Sequence, residues 1–324
     1  MTLGGVAVAG SSPGGVAPGS QWRDRAGFSP ASLAPTESFE KSTGPRDTAS
    51  NVPTWNAIPR SRWPGQYDPR SMSNSTPVER PAVAPGRFVL LMLLVTVVGL
   101  GLDHFATLPW QYVLSACTWA VLIAACIPLT LEERSRVAVV IVVATVGEII
   151  GSIILGIYTY RLDNLPLFVP AGHGIVYLSG WRLSQTRWAA ANPRGFVILA
   201  GAGLWIWGIV GLTGVLGRHD IAGFIGCIVL TAFFIWGRGR QVYAGVFFVV
   251  AFLEIYGTAI GTWYWQPEIP YIGVPNGNPP SGVASGYAFF DIAALTFGIA
   301  VSQVVRRFRR RPHPARLTEP DEAL

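Results

Sequence analysis

The chain has 324 residues, of which 50% are hydrophobic and 13% are charged, and its net charge is +6. Its four histidines are too few for a histidine-box desaturase or hydroxylase. No Walker A loop and no dinucleotide-binding glycine fingerprint follows a strand pattern, so we expect no nucleotide-driven chemistry.

The first 84 residues differ in composition from the rest of the chain. They are rich in Gly, Pro, Ser and Ala and contain almost no apolar run. Such a segment cannot bury enough apolar surface to offset the entropy that it would lose on ordering, so we predict a disordered cytoplasmic tail over 1–84. It does not have the basic start and apolar core of a secretory signal.

Apolar stretches of about 20 residues, the length that crosses the hydrocarbon core of a bilayer, fill the chain from residue 85 onward. We predict eight spans, at about 88–106, 110–130, 137–160, 171–188, 196–216, 220–237, 241–263 and 284–305. The predicted fold class is therefore all-α, a polytopic integral membrane protein with eight transmembrane helices.

Most of the positively charged residues lie on one side of these spans. All but two of the 24 lysines and arginines fall in the tails and loops of that side, and the exceptions are Arg161 and Arg218. The positive-inside rule predicts a multi-pass protein of the cell membrane with both termini in the cytoplasm. The basic run 306–311 fits an anchor on anionic lipid, so we expect membrane lipids as partners and no nucleic acid.

Two glutamates lie within predicted spans, and each opens the same motif. The first copy contains, in order, Glu148, Gly151, Gly156, Tyr158, Tyr160, Pro166, Pro170 and His173. The second contains Glu254, Gly257, Gly261, Trp263, Trp265, Pro270, Pro275 and Asn278. The first and fifth spans also begin alike, at Pro85 and Pro193.

This pattern indicates an internal duplication of a four-helix unit. The predicted boundaries are 85–192 for the first repeat, 193–305 for the second and 306–324 for a basic cytoplasmic tail. Because four is an even number, the two halves share one orientation. We therefore predict a pseudo-two-fold axis along the membrane normal and a site near the midplane between the halves.

The intramembrane acids are the candidate catalytic groups. A carboxylate at bilayer depth is costly and by default marks a functional site. We predict that Glu148 and Glu254 are a general acid and a general base, with their roles open, and that His173 and Asp291 relay a proton or position a water molecule. The predicted substrate-binding residues are Tyr158, Tyr160, Trp263 and Trp265, whose aromatic faces can stabilise a cation, and Asn278, the counterpart of His173 in the second motif. No metal and no cofactor is expected.

Two further features surround the acids. Gly147 with Gly151 and Gly257 with Gly261 form GxxxG patterns, which are typical of close packing between helices. The segments 161–174 and 266–285 are rich in Pro, Gly and Asn. We predict that both are loops that fold back over the site.

The two motifs resemble those of a known family. Glu148-x-x-Gly151 with Gly156-x-Tyr158-x-Tyr160 is similar to the first motif of the membrane carotenoid-biosynthesis proteins that include bisanhydrobacterioruberin-type C-1′ hydratases. The second motif is similar in Gly261, Trp263, Trp265, Tyr271, Gly273, Val274, Pro275 and Asn278. The resemblance implies the addition of water to an end-group double bond of a carotenoid, with Glu148 at the family's acid position. Where the family has Asp-Pro, this chain has Glu254 and Ile255.

A second similarity is to membrane-bound terpene cyclases, which use intramembrane acids to protonate a prenyl substrate. We therefore expect an enzyme that acts on a lipid-soluble isoprenoid by hydration or cyclisation of an alkene. Three alternatives stay open. A proton-coupled carrier of a small molecule or lipid would use Glu148 or Glu254 as its titrating group. A metal enzyme would use Glu148, His173, Glu254 and Asp291 as ligands. A membrane scaffold would leave the paired glutamates unexplained.

Overall fold

A computed structural model describes residues 83–309, and this part of the chain is mostly helical. The predicted disordered tail lies outside the described residues except for its last two positions, and the basic tail lies outside them beyond residue 309. The helices are, in chain order, α1 Pro85–Phe105, α2 Leu108–Cys126, α3 Leu131–Glu148, α4 Val169–Ser184, α5 Arg187–Ala191, α6 Pro193–Leu212, α7 Ile221–Trp236, α8 Arg240–Ala259 and α9 Ala284–Arg309.

Six of the described helices are long and apolar enough to cross a membrane. They are α1, α2, α3 together with a π-helical continuation over Ile149–Ile154, α6, α8 and α9. The sequence predicted eight spans, but α4 and α7 have only 16 residues each. The α4 helix lies at the centre of the bundle, since 11 of its 16 residues are buried.

The core consists of four helices, α3, α4, α8 and α9. The α3 helix packs along α9, α4 packs along α8, and α3 also contacts α4 as α8 contacts α9. Of the remaining long helices, α1 and α2 pack against α4, while α6 packs against α8 and α7 against both α8 and α9. Glycines allow two of these crossings to be close: a Cβ on Gly245 of α8 would collide with the carbonyl oxygen of Gly180 in α4, and one on Gly298 of α9 would collide with the Arg136 side chain of α3.

Local sequence explains where some of these helices begin. Thr130 and Glu133 form a capping box at the start of α3, in which each side chain accepts a hydrogen bond from the other residue's backbone N–H. At the start of α7, the Asp220 side chain accepts from the backbone N–H of Gly223. Prolines stand in the first turns of α1 and α6, where a missing N–H costs nothing.

Short strands follow two of the core helices, in place of the last turns predicted there. The third span was predicted to reach residue 160 and the seventh residue 263, but β1 occupies Tyr158–Tyr160 and β2 occupies Trp263–Trp265. The two strands pair antiparallel, with Tyr158 opposite Trp265, Thr159 opposite Tyr264 and Tyr160 opposite Trp263. A second small sheet joins β3 Glu268–Ile269 to β4 Val274–Pro275. Aromatic residues favour the extended backbone of a strand, which explains why the helices end before them.

One of the two predicted loops is partly helical. The segment 161–174 was expected to be a loop, but α4 begins at Val169 and includes Pro170, Gly172 and His173. Proline in the first turn of a helix is tolerated because the N–H that it lacks has no partner there. The segment 266–285 does form an extended loop with β3 and β4, except for its last two residues in α9.

Candidate functional site

A cavity of about 320 Å³ lies among α1, α2, α3, α4, α8, α9 and the two paired strands. Its wall is mainly apolar, and both Glu148 and Glu254 line it together with His173. The exposed fractions of these three residues are only 8%, 4% and 5%, so the polar groups are almost fully enclosed. The structure thus brings together the two glutamates that the sequence placed in separate halves.

Glu148 is held by three side chains. The hydroxyls of Tyr158 and Tyr160 donate to its Oε2 at 2.9 and 2.8 Å, and His173 Nε2 lies 2.8 Å from its Oε1. Burial, and then the adjacent Glu148 carboxylate, raise the pKa of the Tyr160 phenol well above its usual value. Tyr160 therefore keeps its proton at neutral pH and acts as a donor to Glu148.

Glu254 is held in the corresponding way by tryptophans. The indole N–H groups of Trp263 and Trp265 donate to its Oε2 at 2.9 and 3.1 Å. Both hydrogen bonds fall on one oxygen, and Oε1 receives none from the residues that the structure describes. Glu254 therefore has one anchored oxygen and one that no donor engages.

The strand geometry explains why aromatic residues alternate in both motifs. Side chains two positions apart point to the same side of a strand. Tyr158 and Tyr160 therefore reach Glu148 together from β1, and Trp263 and Trp265 reach Glu254 together from β2. Pairing of the strands brings the rings of Tyr158 and Trp265 to 4.5 Å between centroids. The four donors form a single aromatic ribbon, Tyr158, Tyr160, Trp263 and Trp265, between the two carboxylates.

The glycine three residues after each glutamate makes room for a donor ring. A Cβ on Gly257 would collide with the Trp263 ring, and one on Gly151 would lie 3.0 Å from the Tyr158 ring. Since GxxxG patterns indicate helix–helix packing, the sequence predicted a neighbouring helix at these positions. At Gly151 and Gly257 the structure instead shows a strand side chain from the same motif, whereas Gly147 does face another helix, through Phe290 of α9.

A difference in spacing between the two motifs has a visible structural cause. Ten residues separate Glu148 from Tyr158, but nine separate Glu254 from Trp263. The additional residue in the first motif is taken up by the π-helical segment Ile149–Ile154. Single-residue insertions into helices commonly form such π turns, often beside functional sites. Both glutamates therefore meet their donors despite the unequal spacing.

Two predicted site residues lie away from the cavity wall. Asn278 is not among the residues that line the cavity; its Oδ1 accepts from the backbone N–H of Trp265 at 3.0 Å, so it fixes the end of β2. Asp291 is 2% exposed and also lies outside the lining, one turn beyond Tyr287 on α9. Of the four residues predicted for catalysis, three line the cavity: Glu148, Glu254 and His173.

Tyr287 and Phe290 of α9 were not predicted, although both line the cavity. The His173 ring lies 5.1 Å from the Tyr287 ring and 5.6 Å from the Phe290 ring, measured between centroids. Tyr287 and Phe290 are three residues apart on a helix and therefore lie on the same face, and this spacing in the sequence could have indicated that both line one site. They add two aromatic rings to the cavity wall beside His173.

Asp220 is a second residue that sequence reasoning missed, and its role is to position the loop after β2. Its carboxylate accepts from the backbone N–H groups of Gly223, Gly277 and Ser281 at 3.0, 2.8 and 2.6 Å. It thereby ties the start of α7 to the loop that holds Asn278. Its place immediately before an apolar run was the signal for a helix cap.

The geometry bears on the metal alternative. Within residues 83–309 no group of three or more His, Cys, Asp or Glu side chains could hold a metal ion.

Comparison with protein-family models, with curated proteins and with solved structures finds no match to this chain. The site consists of two carboxyl groups, held by aromatic donors, and an imidazole, all buried beside a mainly apolar cavity.

Proposed function

We propose that the protein is an integral membrane enzyme that acts on a lipid-soluble isoprenoid, such as the end group of a carotenoid, by adding water to a carbon–carbon double bond or by cyclising it. One observation carries the proposal: two glutamates, each fixed by a pair of aromatic donors, face a single cavity that is otherwise apolar and aromatic. Apolar pockets with a few convergent polar groups are typical of small-molecule sites. The motif resemblance points to the same chemistry.

The different hydrogen bonds of the two acids support different roles for them. Two phenol donors stabilise a carboxylate at Glu148, and the His173 imidazole lies within hydrogen-bond distance of its other oxygen, which suits a general base. Glu254 has one oxygen without a donor and lies against apolar and indole surface, which suits a neutral carboxylic acid. Glu254 is therefore the proton donor and Glu148, supported by His173, the proton acceptor.

The reaction balances with these two groups. The Glu254 carboxyl gives its proton to the less substituted carbon of a trisubstituted alkene, and the other carbon becomes a tertiary cation. The oxygen of a water molecule bonds to that carbon, and Glu148 takes the proton that the water releases. In cyclisation a second double bond replaces water as the nucleophile, and loss of a proton to Glu148 ends the reaction. Proton return from Glu148 to Glu254 restores the enzyme.

The aromatic walls suit a cationic intermediate. The rings of Tyr158 and Trp265 lie 4.5 Å apart between centroids, and Tyr287 and Phe290 line the same cavity. A cation within about 6 Å of an aromatic ring face gains roughly 0.5–2 kcal/mol from the ring quadrupole, more when water is excluded. The same enclosure limits premature capture by bulk water.

We further propose that the described helices form two four-helix repeats, with α4 and α7 crossing as the shorter members of eight spans and both termini cytoplasmic. Equivalent residues support the repeat: α1 begins at Pro85 and α6 at Pro193, and Gly156 and Gly261, which precede the two strands, both have positive φ, at 60° and 73°. The packing also supports the repeat. In two equivalent halves α3 corresponds to α8 and α4 corresponds to α9, so the α3–α9 contact is the counterpart of the α8–α4 contact, and both are present.

A proton-coupled carrier is the second candidate, because the cavity lies between the proposed halves and holds two acids. Product analysis separates the two functions. Membranes that contain the protein are incubated with prenyl or carotenoid substrates, and products are measured by mass spectrometry. We expect a mass gain of one water or an isomer. Uptake into vesicles without chemical conversion would favour the carrier and contradict the enzyme.

A further inference from the structure

A ladder of buried polar groups continues from the cavity toward the end of the bundle where α3 begins. His173 and Tyr177 are one turn apart on α4, and Tyr287 and Asp291 are one turn apart on α9. Residues at this spacing lie one above the other on a helix face. The His173 ring contacts the Tyr287 ring at the level of the cavity, so Tyr177 and Asp291 form the next level below it.

The groups on this ladder lack partners. His173 Nδ1, Tyr177 Oη and Asp291 Oδ2 are buried and have no hydrogen-bond partner among residues 83–309. The exposed fractions of both Tyr177 and Asp291 are 2%. A buried polar group without a partner destabilises the fold, and ordered water is the usual means of satisfying it. Three such atoms on adjacent turns indicate bound water along the ladder.

Beyond Tyr177, the next polar groups are charged side chains near the start of α3, and one of them is partly exposed to solvent. Arg136 and Glu133 are both close enough to Tyr177 to act on its hydroxyl electrostatically, as is Asp291. Tyr243 of α8 is the other titratable group near Asp291. Arg136 Nη2 pairs with Glu132 Oε1 at 2.5 Å, and the Glu132 side chain is 36% exposed. Arg136 releases no proton, but its N–H groups are able to donate to water, and its charge is paired with Glu132.

We propose that Tyr177 and Asp291 form a hydrated proton path between the Glu148–His173 pair and the Glu132–Arg136 pair. The imidazole joins the path to the site, because one ring nitrogen contacts Glu148 while the other is unpartnered. The path deepens the proposed function and rests on its assignment of Glu148 as proton acceptor. Through this route the Glu148–His173 pair exchanges protons with solvent, in addition to the return of the proton from Glu148 to Glu254 that closes each turnover.

The test measures proton movement without substrate. The full-length protein in detergent receives a rapid pH jump, and infrared difference spectroscopy follows the Glu148 carboxyl band, assigned by its loss in Glu148→Gln. Asp291→Asn and Tyr177→Phe keep the shape of the side chain. We expect each to lower the rate at which the Glu148 band changes after the pH jump by roughly a hundredfold, the lower end of what a positioned proton-transfer group contributes. Asp291→Glu should restore much of the rate.

Ser179→Ala is the matched control. Ser179 Oγ is another buried α4 hydroxyl without a partner in the described chain, but it lies two residues past Tyr177, on the other side of the helix. An unchanged rate in Asp291→Asn and Tyr177→Phe, or equal slowing in Ser179→Ala, would overturn the path. If the path variants slow the band but no substrate is converted by the natural protein, the path stands and the proposed enzyme function fails.

Discussion

Tyr160 and Trp263 lie opposite each other in the paired strands, yet they donate to different carboxylates, Tyr160 to Glu148 and Trp263 to Glu254. The antiparallel ribbon therefore holds two acids from distant parts of the chain in one fixed relation. Buried carboxylates held by positioned donors are pre-organised, because their hydrogen bonds do not have to form during a reaction.

The first prediction concerns the two glutamates. Glu148→Gln and Glu254→Gln should each lower substrate conversion by about 100-fold or more, because positioned acid–base groups contribute that much to catalysis. Initial rates in isolated membranes, normalised to the amount of folded protein, measure the effect. Glu268→Gln is the control, since Glu268 is exposed on β3 and outside the cavity. Unchanged conversion in both cavity variants would contradict the acid–base roles of the two glutamates.

The second prediction concerns the phenols that hold Glu148. Tyr158→Phe and Tyr160→Phe each remove one donor to a buried carboxylate while keeping the ring. Each should destabilise the protein by about 1–3 kcal/mol, the cost of a lost hydrogen bond to a charged group. Thermal unfolding in detergent measures the change. Tyr264→Phe on β2 should have no comparable effect, because Tyr264 is 45% exposed and lies between the two tryptophans, on the other face of the strand. Equal shifts for all three variants would refute the donor role.

The third prediction concerns the glycines that seat the aromatic donors. Gly257→Ala should displace Trp263 from Glu254 and cost about 1–3 kcal/mol, as overpacking does elsewhere. Gly151→Ala should cost less, because its new Cβ would lie 3.0 Å from the Tyr158 ring and a small shift relieves it. Tryptophan fluorescence and thermal unfolding report both changes. Gly86→Ala, with nothing within 4 Å of the added carbon, is the control. If Gly151→Ala proved the more damaging, the packing argument would be wrong.

The fourth prediction concerns the π-helical segment. In the first motif the N–H of Ile157 bonds to the carbonyl of Gly151 at 2.8 Å, and in the second the N–H of Thr262 bonds to that of Gly257 at 2.9 Å. Deletion of Ile153, which is 62% exposed, would give both motifs the same spacing. We expect this deletion to be tolerated, with an unfolding temperature close to that of the natural protein.

Deletion of Ile255 from α8 is the comparison for that experiment. Ile255 is also exposed, at 53%, but it lies between Glu254 and Gly257. Its loss would rotate Glu254 by about 100° relative to Trp263, since each residue turns a helix by that angle. We expect poor folding or loss of conversion. Similar behaviour of the two deletions would show that the π turn does not absorb the additional residue.

The sequence predicted the candidate site better than it predicted the local structure around it. The cost of burying an acid singled out Glu148 and Glu254, whereas the aromatic residues were predicted to bind substrate and the structure shows them as hydrogen-bond donors to the two glutamates. Alternation over three residues is too short to separate a strand from the end of a helix, so Tyr158 and Trp263 were assigned to spans. The strand depends on pairing between segments about 105 residues apart, which no local pattern reveals.

Asp291 and Asn278 show a second limit. Asn278 was placed at the site as the counterpart of His173 in the second motif, and Asp291 as a third intramembrane acid that could relay a proton. Asn278 instead accepts a backbone hydrogen bond from Trp265, and Asp291 lies one helical turn below the cavity. Which face of a helix a residue occupies depends on where the helix begins, and helix boundaries are the least certain part of a prediction from sequence.

The contact between the Tyr158 and Trp265 rings joins the two acids energetically. A variant that removes one carboxylate frees its aromatic donors, and their altered positions loosen the donors of the other carboxylate. Residues that share a network give non-additive free-energy changes. The Glu148→Gln and Glu254→Gln changes should therefore destabilise the protein less together than the sum of their separate effects. A double-mutant cycle would measure the coupling free energy that the ribbon transmits between the two glutamates.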